Sequence, residues 1–376
     1  MREDKNKFKM KLSRLLFCGI GLLLISLLYV GCSEDDPGTQ NQEEEEQPDN
    51  RAIKEKASFK IGAAVKSSHL SIEEFANTLE GNFNRISAEF EMKMTPIWGS
   101  ETSYNWEKFD FLVDYATSHD MEIHGHVLLW YREYPTWFKN AQYDSAEFET
   151  LIKEYITTVV SRHKGKIASW DVANEIFNDN GTLRVDEFAY VTFDDPIAFY
   201  GRCFQYARDA DPDAKLFYND YNVVIASGKR FAISEMVKRF ENEGYPIDGI
   251  GGQFHYDVNT PETTIENGLR DMANTGLLFH ISELDLKVNV NRSNAYQFTA
   301  GEQQRQGDKY QAIVEIYESV LPDEQKFGIT TWGVTDQYTW LTDFWHEKEY
   351  PLLFDASYNK KKAYDGFLAG LNDSED

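Results

Sequence analysis

Eight short apolar runs punctuate the chain between residues 59 and 334: Phe59–Val65, Phe83–Phe90, Glu122–Trp130, Ile167–Glu175, Lys215–Asn222, Ile247–Tyr256, Leu277–Lys287 and Lys326–Val334. Most are nearly continuous rather than alternating, as in strands of a parallel sheet covered on both faces. Between them, apolar residues spaced near 3.6 predict helices that include Trp106–His119, Ala146–Arg162, Pro196–Ala210, Phe231–Asn242 and Gln303–Val320. Pro196 suits a first helical position and Asp211-Pro212 a stop. Eight such units average about 39 residues each, which fits a barrel with enlarged loops. An open doubly wound sheet also alternates strand and helix, but no Gly-x-Gly-x-x-Gly follows the first strand. The expected fold is α/β: one (β/α)8 TIM barrel over residues 57–371, with 372–376 as a C-terminal tail.

The pattern before residue 57 is different. Met1 to Arg14 carries six Lys/Arg against two acids, and a predominantly apolar run follows from Leu15 to Val30. A charged segment followed by an apolar one reads as a secretion signal, here over residues 1–31. The apolar run is shorter than the ~20 residues that span a bilayer, which argues against an anchor helix. Its ending, Tyr29-Val-Gly-Cys32, resembles a bacterial lipoprotein signal, which implies lipidation of Cys32. Residues 32–56 are acidic and lack an apolar period, so they are expected to form an extended, solvated tether. Acids directly after the cysteine resemble a surface-export signal; a plain spacer is the other reading. The expected location is the outer membrane, as a lipoprotein at the cell surface, with a periplasm-facing orientation as the alternative.

Charge narrows the partners. The net charge is −25, and −29 once the signal is removed. Nothing in so acidic a chain would release counterions from a phosphate backbone, which excludes nucleic acid. The chain is expected to be a monomer that meets the membrane through its lipid alone. After signal removal and lipidation only Cys203 is left, so no disulfide framework exists.

Two residues carry the candidate chemistry. Glu175 closes Ile167-Ala-Ser-Trp-Asp-Val-Ala-Asn-Glu175, and Glu283 sits in Leu277-Leu-Phe-His-Ile-Ser-Glu283-Leu-Asp-Leu. In a barrel, chemistry sits at the carboxyl ends of the strands. Glu175 would end the fourth strand and Glu283 lies in the seventh, so both can face one cleft. Paired carboxylates at such positions suit cleavage of a glycosidic bond, where one protonates the leaving oxygen and the other attacks the anomeric carbon or activates a water. His124-x-His126 puts two imidazoles on one strand face, as a metal site would. No third ligand with zinc-like spacing follows, so neither metal nor other cofactor is expected.

Trp170-Asp-Val-Ala-Asn-Glu175 and Ile281-Ser-Glu283-Leu-Asp285 resemble the acid/base and nucleophile motifs of glycoside hydrolase family 10, retaining endo-β-1,4-xylanases on a (β/α)8 barrel. The likeness extends through Ala88-Glu-Phe-Glu-Met-Lys93, Gly125-His-Val-Leu-Leu-Trp130, Asn219-Asp-Tyr-Asn222, Gly252-Gln-Phe-His255, Thr331-Trp-Gly-Val-Thr-Asp336 and Phe354-Asp-Ala-Ser-Tyr358, in family order. The resemblance implies that Glu175 is the acid/base and Glu283 the nucleophile. It makes His255 and Asp285 the support of Glu283, and Asn174 the residue that binds the sugar 2-hydroxyl. Gln253 would be a further donor near the reacting sugar. Trp332 and Trp340 would wall the glycone side, and Trp130 and His126 line the same pocket. Tyr221 and Asn222 match leaving-group contacts; Glu89 and Lys93 match residues that bind xylose hydroxyls. Xylan or a xylo-oligosaccharide is the implied substrate. A related β-glycanase with altered glycone-side specificity and a non-catalytic glycan-binding lipoprotein are the alternatives.

The chain departs from the family at three places. Phe90 stands where the family has asparagine, Tyr131 replaces a histidine and Glu133 a glutamine. All three are expected in the glycone half of the cleft, where Phe90 can stack on a sugar face but cannot hydrogen-bond a hydroxyl.

Overall fold

The structure is a computed structural model that describes residues 51–346 and 348–372. The signal, Cys32 and most of the tether lie outside the described residues. Eight parallel strands close into a barrel: β1 (Lys60–Val65), β2 (Arg85–Ala88), β3 (Glu122–Gly125), β4 (Ser169–Asn174), β5 (Lys215–Asp220), β6 (Gly249–Gly252), β7 (Leu278–Lys287) and β8 (Lys326–Thr331). Each pairs with its neighbours in chain order, and β8 returns to β1 with Gly328 opposite Lys60. The outer ring is α1 (Glu73–Asn82), α2 (Glu107–Ser118), α3 (Ser145–Arg162), α4 (Pro196–Ala210), α5 (Ser227–Glu243), α6 (Glu262–Ala273), α7 (Ala300–Val320) and α8 (Lys362–Gly370). This is the (β/α)8 barrel that the apolar pattern predicts.

Local chemistry explains the helix limits. Asp144 caps α3 by accepting from the Ala146 and Glu147 amides, and Glu147 reaches back to the Asp144 amide at 2.9 Å. Pro196 opens α4 behind Asp195, which accepts from the Ala198 amide. Gly244 ends α5 with φ 77°, a left-handed conformation that glycine adopts without steric cost.

Three boundaries differ from the sequence reading. The run 122–130 breaks after Gly125 and resumes as a short strand, Leu129–Trp130, beside Ala173 and Asn174. The run 247–256 breaks at Phe254, whose φ is 59°, and resumes as His255–Asp257 beside Asp285–Lys287. Both breaks re-aim the chain at the barrel mouth and present Trp130 and His255 there. The barrel domain also begins earlier than residue 57. Ile53–Lys56 is a helical turn whose Ile53 is fully buried and whose first amide donates to the Tyr364 hydroxyl at 3.3 Å. Burying one isoleucine contributes about 1.5–3 kcal/mol, enough to hold a single turn against the domain.

The barrel interior is packed, not hollow. Near its amino-terminal end the buried Arg85 stacks over Phe327 at 3.9 Å and donates to Glu122 at 2.9 Å. His124 and His280 meet edge to face at 4.8 Å, and Phe217 lies 4.5 Å from Phe327. Burial, with His124 and Arg85 close by, holds His280 well below its ordinary pKa, so its ring is neutral and shares a 2.8 Å hydrogen bond with Thr330. Gly249 lets Phe217 fill this layer: a Cβ there would sit 2.1 Å from the phenyl ring. Gly249→Ala is therefore expected to cost about 1–3 kcal/mol of stability through overpacking, read as a lowered midpoint in thermal or urea unfolding. An unchanged midpoint would show that the interior yields without cost.

Candidate active site

At the carboxyl ends of the strands lies an open cleft of about 750 Å³. It is lined by fifteen of the residues named from the sequence: Glu89, Phe90, Lys93, His126, Trp130, Tyr131, Asn174, Glu175, Tyr221, Asn222, Gln253, His255, Glu283, Trp332 and Trp340. Asp285 lies immediately behind, with no exposed surface. Seven strand ends and the loop after β8 thus bring these side chains together.

Glu283, on β7, is 5% exposed. Burial pushes its carboxyl up, but a hydrogen bond from His255 at 3.1 Å, the nearby His126 and the Asn219 amide at 2.7 Å outweigh burial and hold it below the usual range. It is therefore ionised across neutral pH. His255 bridges two carboxylates, with Nδ1 2.8 Å from Asp285 and Nε2 3.1 Å from Glu283. Burial pulls the imidazole down; Asp285 and Glu283 together overcome it and raise the pKa to about 10. Both ring nitrogens then donate. Asp285 also accepts from the Trp340 indole at 2.8 Å, so one buried carboxylate orients both the histidine and a cleft wall.

Glu175 stands one residue past β4, with φ 58°. A left-handed glutamate is uncommon and persists only where its neighbours fix the backbone. Here its amide donates to the Asn219 carbonyl at 2.9 Å, and its carbonyl accepts from Arg184 Nε at 2.9 Å. The next amide, of Ile176, donates to the Tyr218 hydroxyl at 3.2 Å. The Glu175 carboxyl accepts from Gln253 at 3.0 Å. Gln253 also donates to Asn174 Oδ1 at 3.2 Å, which takes a second bond from Asn219 at 3.1 Å. An unbroken chain of amide side chains therefore links the two carboxyl groups: Glu175, Gln253, Asn174, Asn219, Glu283.

The remaining residues form walls and counter-charges. Lys93 lies 4.5 Å over the Trp130 ring; burial lowers its pKa while Glu283, Glu133 and Glu89 act against that. Glu89 pairs with Lys66 at 3.0 Å, and burial pushes its carboxyl up. His126 and His124 converge on Asp171, at 2.8 and 3.0 Å. That carboxylate accounts for the paired histidines without a metal, and His126 meets Trp332 edge to face at 5.2 Å. Tyr221 is held from below by Lys229, whose ammonium is 3.5 Å from its ring and 2.8 Å from Asp220.

Asn219 opens the segment Asn219-Asp-Tyr-Asn222, yet the sequence assigns it no role. A polar residue inside the apolar run of β5, in step with Tyr221 on the same strand face, was the available signal. Arg132, Arg184, Lys66 and Phe344 also line the cleft without any sequence warning. Tyr131 needs a correction. Its ring packs against Arg184 at 4.3 Å, and Arg184 in turn donates to the Tyr221 hydroxyl at 2.9 Å, so Tyr131 belongs to the Glu175 flank rather than to the half containing Glu89 and Lys93. Glu133 does not line the cleft, and its charge acts on Lys93 from outside.

Replacing Asp285 by Asn should lower the His255 pKa from about 10 toward the ordinary 6.5, because a neutral amide no longer favours the cation. The sign for stability follows: a raised histidine contributes stability that is full below pH 6.5 and is lost as pH rises toward 10. NMR titration of the His255 ring in both proteins checks the first statement, and denaturation between those pH values the second. Coincident titrations would refute the assigned charge pairing.

The glycosyl hydrolase family 10 model matches residues 50–369. The chain is 34% identical to endo-beta-1,4-xylanase Xyn10C of Cellvibrio japonicus, over 83% of this chain and 56% of that protein. It is 35% identical to a beta-1,4-xylanase of Dictyoglomus thermophilum, over 81% and 86%. It is also 34% identical to exoglucanase XynX of Acetivibrio thermocellus, over 81% of this chain and 28% of that one. The chain thus spans about half or less of two of these relatives. A solved structure of a mutant C. japonicus xylanase 10C, in complex with xylopentaose, superposes with a TM-score of 0.79 at 34% identity, covering 84% of this chain and 67% of that one. The family model spans the barrel and both strand-end glutamates: the chain belongs to glycosyl hydrolase family 10.

Proposed function

We propose that the chain is a retaining endo-1,4-β-xylanase in which Glu283 is the nucleophile and Glu175 the acid/base. One observation carries this reading: the two carboxyls are held in opposite surroundings a few hydrogen bonds apart. Glu283 is buried, ionised and gripped by an imidazolium and an amide. Glu175 receives amide donors, from Gln253 and a longer contact from Asn174 at 3.5 Å, and its carboxyl makes no ion pair among the described residues. Such asymmetry divides the work between an attacking and a protonating group.

In the first step Glu283 bonds to the anomeric carbon as the glycosidic C–O bond breaks, and Glu175 gives its proton to the departing oxygen. In the second, Glu175, now a carboxylate, takes a proton from water. That water attacks the anomeric carbon and displaces Glu283. Two inversions give net retention. Asn174, whose Nδ2 makes only the 3.5 Å contact with Glu175, would meet the sugar 2-hydroxyl, and Trp332 would wall the reacting ring. His255 keeps Glu283 ionised for attack and then stabilises it as the leaving carboxylate. The xylanase names of two relatives support xylan as substrate, and the exoglucanase relative supports a gluco-configured chain as the second reading.

The reading extends to location. We place the signal at residues 1–31, lipidation at Cys32 and the barrel at the outer-membrane surface, on the tether that precedes it. Cys32→Ala is expected to move the protein from the membrane to the soluble fraction and to abolish labelling by a fatty-acid probe; unchanged fractionation would refute the anchor.

Product analysis on linear β-1,4-xylan should give short xylo-oligosaccharides whose new ends appear first as the β-anomer by NMR. Glu283→Ala should lower kcat by about 10³-fold or more. Glu175→Ala should lose xylan hydrolysis while retaining more activity on aryl glycosides, whose leaving groups need no proton. Release from gluco-configured chains alone would favour the second reading. No release from either, with an intact fold, would leave a glycan-binding role.

A further inference from the structure

Two arginines on the Glu175 flank of the cleft stand out by what they do not touch. Elsewhere in this acidic chain arginines hold carboxylates: Arg85 with Glu122, Arg202 with Glu149, Arg239 with Asp195 and Glu243. Arg132 and Arg184 form no ion pair among the described residues, yet both line the cleft and both stack on Tyr131, with ring distances of 5.3 and 4.3 Å. Arg132 Nε is bonded to the Tyr131 hydroxyl at 2.8 Å, leaving its two terminal nitrogens without a partner among the described residues. Arg184 is fixed by the Glu175 carbonyl and the Tyr221 hydroxyl, both at 2.9 Å, which leaves Nη1 likewise unengaged. Two guanidinium groups gathered on one tyrosine repel each other, and neither can shed its proton.

The negative group that acts on both is Glu175 itself. In the proposed reaction that residue carries a proton when the substrate binds, so the pair then faces the cleft without a counter-charge. Their stacking and hydrogen bonds aim rigid, unspent donors at whatever occupies this flank. The acid protonates the departing oxygen, so the occupant is the leaving-group portion of the glycan. The free terminal fork of Arg132, with Arg184 Nη1 beside the same ring, matches a carboxylate far better than a hydroxyl.

We infer that Arg132 and Arg184 form a carboxylate site on the leaving-group flank, which takes a uronate branch carried by the leaving portion of an acidic xylan. The inference rests on the xylanase reading and names the substrate class within it. Tyr131 is the positioning residue: its ring and hydroxyl hold both guanidinium groups.

The test compares xylo-oligosaccharides bearing a glucuronate branch with the same compounds after reduction of the carboxyl to an alcohol, using the full chain at low salt. Shape is thereby kept and only the charge removed. For the wild type, kcat/KM is expected to favour the acidic compounds by about tenfold, the scale of one charge-assisted pair at a partly exposed site. The ratio should fall toward one in Arg132→Gln and Arg184→Gln, and in high salt. Taking the ratio within each variant cancels any general loss, which matters for Arg184 because it also seats Glu175. A ratio of one in the wild type, or an unchanged ratio in both variants, would overturn the site. Linear xylohexaose serves as the independent control: its cleavage with a ratio of one means that the reaction stands and the site falls. If no xylo-oligosaccharide is cleaved, the xylanase reading falls. Calorimetric binding of the two branched compounds to Glu283→Ala then judges the site by itself, tighter binding of the acid supporting it and equal binding overturning it.

Discussion

A carboxylate kept ionised in a buried position is the constraint around which the cleft is built. Removing Glu283 from water is unfavourable by several kcal/mol unless charge and hydrogen bonds replace the lost hydration. The replacement comes from three directions: His255 from the strand segment beyond β6, Asn219 from β5, and His126 from β3. Each helper needs its own support. His255 requires Asp285, Asp285 ties down Trp340, and Asn219 requires Ser282, which donates to its Oδ1 at 2.6 Å. One buried charge thus fixes rotamers on four strands and a wall of the cleft, and the preorganisation that catalysis uses follows from the electrostatics of folding.

The barrel supplies the rigidity this needs. Its interior is filled by Arg85, His124, Phe217 and His280, so strand ends cannot slide independently. The two interrupted strands show how the same scaffold yields asymmetry at the mouth. Re-pairing beyond the break carries Trp130 and His255 above the barrel layer, next to β4 and β7. The two halves of the cleft therefore differ chemically: Lys93 and Glu89 near Glu283, stacked arginines near Glu175.

Much of this was legible in the chain. Parallel strands buried on both faces leave continuous apolar runs, and polar residues that interrupt their carboxyl ends mark the mouth of a barrel. That is why Glu175 and Glu283 stand out, whereas His255 and Gln253 are legible only through the family resemblance of Gly252-Gln-Phe-His255. Asn219 hid because its role depends on bridging residues of β4 and β7, which come within its reach only in the fold. Arg132 and Arg184 hid for a different reason. Surface arginines are ordinary in sequence, and only the fold reveals that these two form no ion pair among the described residues. Ile53 escaped because one apolar residue after a long acidic run has no period to betray it. Tyr131 was misplaced since its neighbour in sequence, Trp130, faces Lys93 while Tyr131 itself faces Arg184.

The backbone at Glu175 has an evolutionary corollary. A left-handed glutamate costs about 1–2 kcal/mol relative to the conformations its side chain prefers, and glycine would sit there at ease. Selection for folding alone would therefore drift toward glycine at 175. Under the acid/base role proposed for it, turnover is the pressure that retains the glutamate, and a descendant freed from catalysis should lose it before it loses its barrel.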